Sequence, residues 1–162
     1  MQRVDKKNYY LNIAEAVLER STCLRKKYGA VIVNNDEIIS TGYNGSPRGC
    51  TNCNEKGICI REELKVPRGT KYELCAGVHA EQNALLSASR RETIGASLYL
   101  VGKNTGEDTY VGNAEPCSLC KKLIINSGIE EVYIRIDRTE YKRILVQEWI
   151  DNEELLLGIN GY

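Results

Sequence analysis

The chain has 162 residues, enough for one domain with a substantial core, and its 22 basic residues balance its 22 acidic ones. This balance argues against an extended surface for polyanions, so we expect no nucleic-acid partner. No apolar run is long enough to cross a bilayer, and the N-terminal residues lack the apolar core of a signal peptide. We therefore expect no membrane partner and a cytoplasmic location.

The first part of the chain predicts a helix followed by a β-hairpin. Apolar residues at helical spacing favour a helix over residues 8–20. Short apolar or β-branched runs at 30–33 and 38–41 predict two strands, and the Asn-Asn-Asp-Glu sequence between them is typical of a turn.

The second half predicts alternating helices and strands. We expect a helix over 80–89, a strand over 97–101 and a loop over 102–115. A helix over 117–126 should end at Ser127-Gly128, because glycine tolerates the left-handed cap conformation. A strand over 132–136, a short strand over 144–146 and a helix near 148–157 follow. This order indicates one layered α/β domain over residues 1–162, with a mixed sheet and helices on its faces.

Residues 44–77 form a cysteine-bearing segment that fits this order poorly. The segment contains glycines and prolines, and only residues 61–65 suggest a helix. Long loops in a compact domain need something to anchor them. We therefore interpret the segment as an insertion. It contains four of the seven cysteines, namely Cys50, Cys53, Cys59 and Cys75.

A second set of residues points to a catalytic metal. His79 is the only histidine, and it is followed by Glu81 and later by Cys117 and Cys120 in Pro-Cys-Ser-Leu-Cys. One imidazole and two thiolates leave the fourth position of a tetrahedral zinc open for water. Alone, His-x-Glu is common at helix starts, and Cys-x-x-Cys is also found in redox pairs and structural zinc sites. Together they form the signature of zinc nucleobase deaminases.

The spacing of these residues predicts where the zinc lies and what Glu81 does. Residues two apart on a helix point about 200° from each other, so His79 and Glu81 address one metal only if it lies beyond the helix end. Cys117 and Cys120 share one helix face. We expect a zinc between the N-termini of two helices, with Glu81 as the proton shuttle while zinc-bound hydroxide attacks the amidine-like carbon of a nucleobase. The alternative role for Glu81 is an acid that stabilises the helix N-terminus.

The remaining thiols suggest a second, structural zinc. Five cysteines are available for four positions, and our prediction is Cys23, Cys53, Cys59 and Cys75, with Cys50 spare. Such a metal would anchor the insertion and brace the helix that follows His79. The alternative is that these are scattered free thiols.

Several longer motifs carry a family resemblance that covers the chain to about residue 136. The chain resembles the deoxycytidylate (dCMP) deaminase family in Ser-Thr-Cys-Leu-Arg at 21–25, Tyr-Gly-Ala-Val-Ile-Val at 28–33, Gly-Tyr-Asn-Gly-Ser-Pro-Arg-Gly at 42–49, His-Ala-Glu-Gln-Asn-Ala at 79–84, Pro-Cys-Ser-Leu-Cys at 116–120 and Ile-Ile-Asn-Ser-Gly-Ile at 124–129.

The resemblance implies a three-layer cytidine-deaminase-like α/β fold, with a central five-stranded mixed sheet flanked by helices. It implies hydrolysis of dCMP to dUMP and ammonia, which supplies dUMP for thymidylate synthesis. It also implies assembly as a homo-oligomer, namely a hexamer, with dCTP and dTTP as effectors and magnesium accompanying the nucleotide.

The resemblance also assigns roles to individual residues. Asn44 would hydrogen-bond the sugar, and the loop over 44–49, with Gly45 and Arg48, would lie near the effector site. Ala80 and Arg25 are further candidates for substrate binding. Arg25, Lys27 and Arg48 flank the expected phosphate site, although basic side chains there are usually solvated surface. Cys23 and Cys53 match positions that bind a second zinc in the family. The chain differs from the family in two ways: some relatives use histidines at that second metal, and residues 60–77 are longer here than in the compact members.

Three other functions fit the same zinc motif. A tRNA adenosine deaminase would need a basic surface, which the neutral balance does not favour. Nucleoside and free-base deaminases share the motif as well. A non-enzymatic zinc-binding module is the third alternative, and the complete set formed by His79, Glu81, Cys117 and Cys120 argues against it.

Overall fold

A five-stranded mixed sheet organises residues 1–157, the part of the chain that the computed structural model describes. The strand order is β2-β1-β3-β4-β5; β3 and β4 are parallel and the other neighbours are antiparallel. The strands are β1 (Lys26–Asn34), β2 (Glu37–Tyr43), β3 (Ser97–Asn104), β4 (Glu131–Arg135) and β5 (Tyr141–Leu145).

Helices cover both faces of this sheet. Helix α1 packs against one face, and α4, α6 and α7 pack against the other, so the predicted three-layer arrangement is confirmed. The helices are α1 (Lys6–Leu18), α2 (Cys53–Lys56), α3 (Ile60–Glu63), α4 (Ala80–Leu86), α5 (Arg90–Thr93), α6 (Ser118–Ser127) and α7 (Val146–Asp151), with 3-10 turns at Tyr72–Leu74 and Glu153–Leu156.

The predicted hairpin is present, with longer strands than expected. Asn35 and Asp36 both have positive φ, as a two-residue type I′ turn requires. Strand β1 begins at Lys26 rather than at residue 30, because residues 26–33 pair with β3. Its polar start carries no apolar pattern that sequence reasoning can detect.

Three helix boundaries differ from the prediction. Helix α1 begins two residues early, since the Asp5 carboxylate accepts from the Asn8 N–H at 3.0 Å and caps it. Helix α4 ends at Leu86 rather than at residue 89, because Ser89 and Glu92 form a capping box that starts α5. The last predicted helix is divided at Asn152 into α7 and a 3-10 turn.

Two glycines set the spacing between the three layers. A Cβ at Gly29 would lie 2.0 Å from the Ala14 carbonyl oxygen of α1. A Cβ at Gly42 would lie 2.3 Å from the Ala80 carbonyl oxygen of α4 and 2.4 Å from the Ala84 nitrogen. No side chain fits at either point, so these glycines allow each helix backbone to rest directly on the sheet.

The insertion at 44–77 is largely irregular, as expected, with the short helices α2 and α3 and one 3-10 turn. Its end is held by a two-bond antiparallel bridge between Gly45 and Val78, at 3.1 and 2.7 Å. This bridge fixes the residue immediately before His79. Within residues 1–157, no helix has the length and apolar character needed to span a bilayer.

We expect Gly42→Ala to lower the free energy of unfolding by about 3 kcal/mol, because the added methyl group overlaps the backbone of α4 and the strand cannot yield. Urea unfolding followed by circular dichroism measures the change. Gly112→Ala is the matched control, since a Cβ there meets nothing within 4 Å. Equal stability of the two variants would contradict this account of the layer spacing.

Candidate active site

Three metal-ligating side chains meet where α4 and α6 begin. His79 Nδ1 lies 3.4 Å from Cys117 Sγ and 3.5 Å from Cys120 Sγ. In the described part of the chain, this is the only group of three or more His, Cys, Asp or Glu ligand atoms within 4.8 Å of one another. Zinc–nitrogen and zinc–sulfur bonds of about 2.0 and 2.3 Å place tetrahedral ligands about 3.5 Å apart. The donor set therefore fits a zinc ion in both chemistry and spacing.

The helix ends position these donors as the spacing predicts. His79 is the N-cap residue of α4, and its backbone N–H donates to Gln82 Oε1 at 2.8 Å. Cys117 is the N-cap residue of α6, and Cys120 lies one turn further on. Both helix N-termini therefore lie at the same point, where their dipoles favour thiolates.

A buried lysine braces the loop that carries the two cysteines. Lys121 is fully buried, and its Nζ lies 2.9 Å from a Glu115 carboxylate oxygen. The same ammonium donates to the Leu155 carbonyl oxygen at 3.0 Å and lies over the Trp149 ring. These contacts tie the loop before Cys117 to the C-terminal 3-10 turn.

The two thiols and the imidazole are electrostatically coupled. The hydrogen bond from Cys120, followed by the bond with His79, lowers the pKa of Cys117. That same bond with Cys117, together with burial, raises the pKa of Cys120. Burial alone would lower the pKa of His79, but Cys117 and the charge of Glu81 raise it. The lowered pKa of Cys117 favours its thiolate, which is the form that binds a metal ion.

Glu81 lies next to this set. It is fully buried in the first turn of α4, and its negative charge contributes to the raised pKa of Cys120 and of Tyr28. Glu81 is outside the group of three donors, and its side chain hydrogen-bonds Cys120, which holds the carboxylate beside them.

A cavity of about 240 Å³ opens beside the donors, lined by His79, Tyr28 and Asn44 among others. Asn44 is held rigidly: its Oδ1 accepts from Ser21 Oγ at 2.6 Å and from the Tyr28 N–H at 2.8 Å. Its amide donates one hydrogen bond to the Lys26 carbonyl oxygen. An amide carries two N–H donors, so Asn44 keeps one for a ligand.

Sequence reasoning missed two residues of this cavity. Tyr72 meets the His79 ring edge-on, with centroids 5.4 Å apart, and burial followed by the charge of Cys117 raises the pKa of Tyr72 to about 12. The guanidinium group of Arg61 lies over the Tyr72 ring, with its central carbon 4.7 Å from the ring centre. Both belong to the insertion, where no periodicity marks buried positions.

The four cysteines predicted for a second metal all line this cavity: Cys23, Cys53, Cys59 and Cys75. Cys50 is exposed and does not line it. The backbone N–H of Arg25 donates to Cys23 Sγ, and the backbone N–H of Gly77 donates to Cys75 Sγ, both at 3.4 Å. Among residues 1–157 these thiols do not meet as a group within 4.8 Å.

The other predicted residues occupy different places. Arg25 and Gly45 line the cavity. Ala80 is fully buried beneath it, against Gly42. Arg48 is exposed and does not line it.

Comparison with known proteins agrees with this geometry. The family model for the cytidine and deoxycytidylate deaminase zinc-binding region matches residues 4–136. Deoxycytidylate deaminase of Mycobacterium phage D29 is 41% identical over 137 residues, which are 82% of this chain and 95% of that protein. The Schizosaccharomyces pombe deoxycytidylate deaminase is 38% identical over 125 residues, 77% of this chain but only 35% of that protein.

A solved structure extends the similarity. The crystal structure of dCMP deaminase from the cyanophage S-TIM5, in complex with dCMP and dUMP, matches with a TM-score of 0.60 and 27% identity. The match covers 100% of this chain and 98% of that one. On the family match and the shared fold, the chain belongs to the cytidine and deoxycytidylate deaminase family.

Proposed function

We propose that the protein hydrolyses dCMP to dUMP and ammonia. The observation that carries the proposal is a buried glutamate beside a His-Cys-Cys donor set whose histidine lines a cavity of about 240 Å³. The relatives named deoxycytidylate deaminase support the choice of dCMP. The fully matched cyanophage enzyme, solved with dCMP and dUMP, supports the same choice.

The side chains divide the work of this reaction. A zinc ion held by His79, Cys117 and Cys120 would lower the pKa of a water molecule to about 7. With that water as the source, Glu81 would carry one of its protons to the ring nitrogen N3 of cytosine and the other to the amino nitrogen. The water oxygen would become the carbonyl oxygen on C4, and the C4–N bond would break to release ammonia. The free N–H of Asn44 holds the deoxyribose, and burial keeps bulk water away from the carboxylate.

We expect Glu81→Gln to lower kcat for dCMP by about 10²–10⁴-fold or more while zinc stays bound, because the amide cannot accept the proton. Ammonia release from dCMP measures activity and metal analysis measures zinc. Cytidylate, deoxycytidine and dCTP serve as competitors.

Glu130→Gln, at an exposed carboxylate, is the control for this substitution. Activity of the Glu81 variant within tenfold of the wild type, at full zinc content, would exclude the proton-shuttle role.

We further propose a structural zinc at Cys23, Cys53, Cys59 and Cys75. All four line one cavity, whereas Cys50 does not. Backbone N–H groups already donate to the sulfurs of Cys23 and Cys75. Burial raises the pKa of Cys75, so bound metal would be needed to hold that sulfur as the thiolate. Metal binding would require the four sulfurs to close around the ion, and the metal would add folding free energy.

We expect purified protein to contain two zinc ions per chain, and Cys59→Ser to reduce this number to one without removing the catalytic zinc. Inductively coupled plasma mass spectrometry measures the ratio. Cys50→Ser should still hold two ions. A ratio of one zinc ion per chain in the wild type would contradict the proposal of a second site.

We also propose that copies of the chain associate through the exposed apolar surface of α4 and α6. Leu86 is 80% exposed and Leu123 is 45% exposed, and together with Leu85 they line a groove between the two helices. Exposed apolar patches of this kind mark contacts between subunits. The hexamer implied by the family resemblance would use such a surface.

We expect Leu86→Asp to reduce the mass measured by light scattering coupled to size exclusion, because a carboxylate would be buried at the contact. Ile136→Asp is the control, at a similarly exposed apolar residue on another part of the surface. An unchanged mass for Leu86→Asp, or a monomeric wild type, would reject this surface.

Regulation by dCTP with magnesium, and by dTTP, stays a prediction of the resemblance. Gly45 and Arg48, the residues assigned to it, lie on the loop that follows β2. Adding each nucleotide to the dCMP assay tests it directly.

A further inference from the structure

We infer that Lys121 and Glu115 form a buried ion pair that positions the two cysteine ligands and governs how long the zinc ion is retained. Both are positioning residues, since neither lines the substrate cavity. The inference rests on the proposed zinc-dependent function and deepens it, because it assigns part of the metal site to residues that do not bind the metal.

The two charged residues enclose the segment that carries both thiols. Glu115 lies two residues before Cys117. Lys121 directly follows Cys120. The Lys121 Nζ lies 2.9 Å from a Glu115 carboxylate oxygen, and the Lys121 backbone N–H donates to the Cys117 carbonyl oxygen at 2.9 Å. The ion pair therefore closes the backbone over 115–121 into a ring, and a shift of either end would move a sulfur.

The ammonium group of Lys121 is held from three sides. Its side chain is 0% exposed. Besides the Glu115 carboxylate, the ammonium meets the Leu155 carbonyl oxygen at 3.0 Å and lies 5.4 Å from the Trp149 ring centre. Leu155 belongs to the 3-10 turn Glu153–Leu156. The ligand segment is thereby joined to the C-terminal turn through one buried cation.

Stability alone does not account for a buried ion pair at this place. Taking both charges out of water offsets most of their attraction, so apolar side chains of similar size often give equal or greater stability. An ion pair instead fixes one geometry, because the ammonium is satisfied only where the carboxylate and the carbonyl oxygen both meet it. A geometry fixed directly beside two metal ligands has its use at the metal.

Loss of Lys121 would leave Glu115 without an adequate partner. The Glu115 side chain is 18% exposed. Its one other ion-pair partner among residues 1–157 is Lys142, which lies 3.8 Å away and has 59% of its side chain exposed. An exposed pair at that distance contributes little. The carboxylate would move outward to reach water, and Cys117 would move with it because only Pro116 separates the two residues.

The alternative is that Lys121 serves only to hold the C-terminal turn against α6. In that case its loss would lower the free energy of unfolding, and zinc release would become faster only because the fold is weaker. Restoring the stability would then restore zinc retention as well. The two explanations therefore differ in whether stability and zinc release can be separated.

The test compares Lys121→Met with Lys122→Met, a substitution at an exposed lysine of the same helix. A third protein combines Glu115→Leu with Lys121→Met and so replaces the pair by apolar side chains. Urea unfolding gives the free energy of unfolding of each protein. Ammonia release from dCMP gives kcat and KM.

Two further measurements follow the metal without substrate. A colorimetric chelator in excess, without urea, gives the rate of zinc release. Absorption spectra of the cobalt-substituted proteins report on the thiolate ligands. Both measurements use the Cys59→Ser background, so that only the ion at His79 is followed.

We expect Lys121→Met to release zinc about 10-fold faster than Lys122→Met and to lower kcat by a similar factor, as is typical of residues that support metal ligands. The thiolate bands of the cobalt protein should change. KM should not change, because neither member of the ion pair lines the cavity. The double variant should regain the free energy of unfolding but keep the fast release of zinc.

Zinc release from Lys121→Met at the rate of Lys122→Met would overturn the inference. So would a double variant that regains both stability and slow zinc release, since Lys121 would then act in folding only. If Lys121→Met alone does not fold, the zinc release of the double variant decides in the same way.

The inference and the proposed function fail separately. Faster zinc release from Lys121→Met, in a protein that does not turn over dCMP, supports the role of the ion pair and rejects the function. Turnover of dCMP by the wild type, with unchanged zinc release from Lys121→Met, supports the function and rejects the role of the ion pair.

Discussion

The structure depends on two helix N-termini that meet at one imidazole. Helix α4 is capped by His79 and α6 is capped by Cys117, so the N-terminal ends of both helices lie at the same three donor atoms. Buried thiols and a histidine would be costly at this position without partners. The helix ends, the mutual bonds of the three groups and a divalent cation provide the compensation.

The rest of the fold keeps that meeting point fixed. Gly42 allows α4 to lie against β2, and the Gly45–Val78 bridge holds the chain just before His79. On the other helix, the buried ion pair between Lys121 and Glu115 holds the loop before the first cysteine. The ligand positions are therefore set by packing on the sheet and by the C-terminal turn as much as by the ligands themselves.

The sequence predicts those structural features that local sequence patterns determine. It gives the central sheet, the helix ends at the metal donors and the glycine stop at Gly128, because periodicity, spacing and cap chemistry are local properties. It misses the start of β1, whose polar residues become part of the strand because they pair with β3. It also misses Arg61 and Tyr72, because an irregular insertion carries no signal for which residues turn inward. Tertiary contacts alone decide those positions.

A zinc anomalous difference map from crystals grown with dUMP tests the central claim most directly. The account predicts a zinc peak bonded to His79 Nδ1 and to the sulfurs of Cys117 and Cys120, with the pyrimidine ring facing Glu81. If no zinc peak lies at these three atoms, or if dUMP binds away from Glu81, the result would contradict this account.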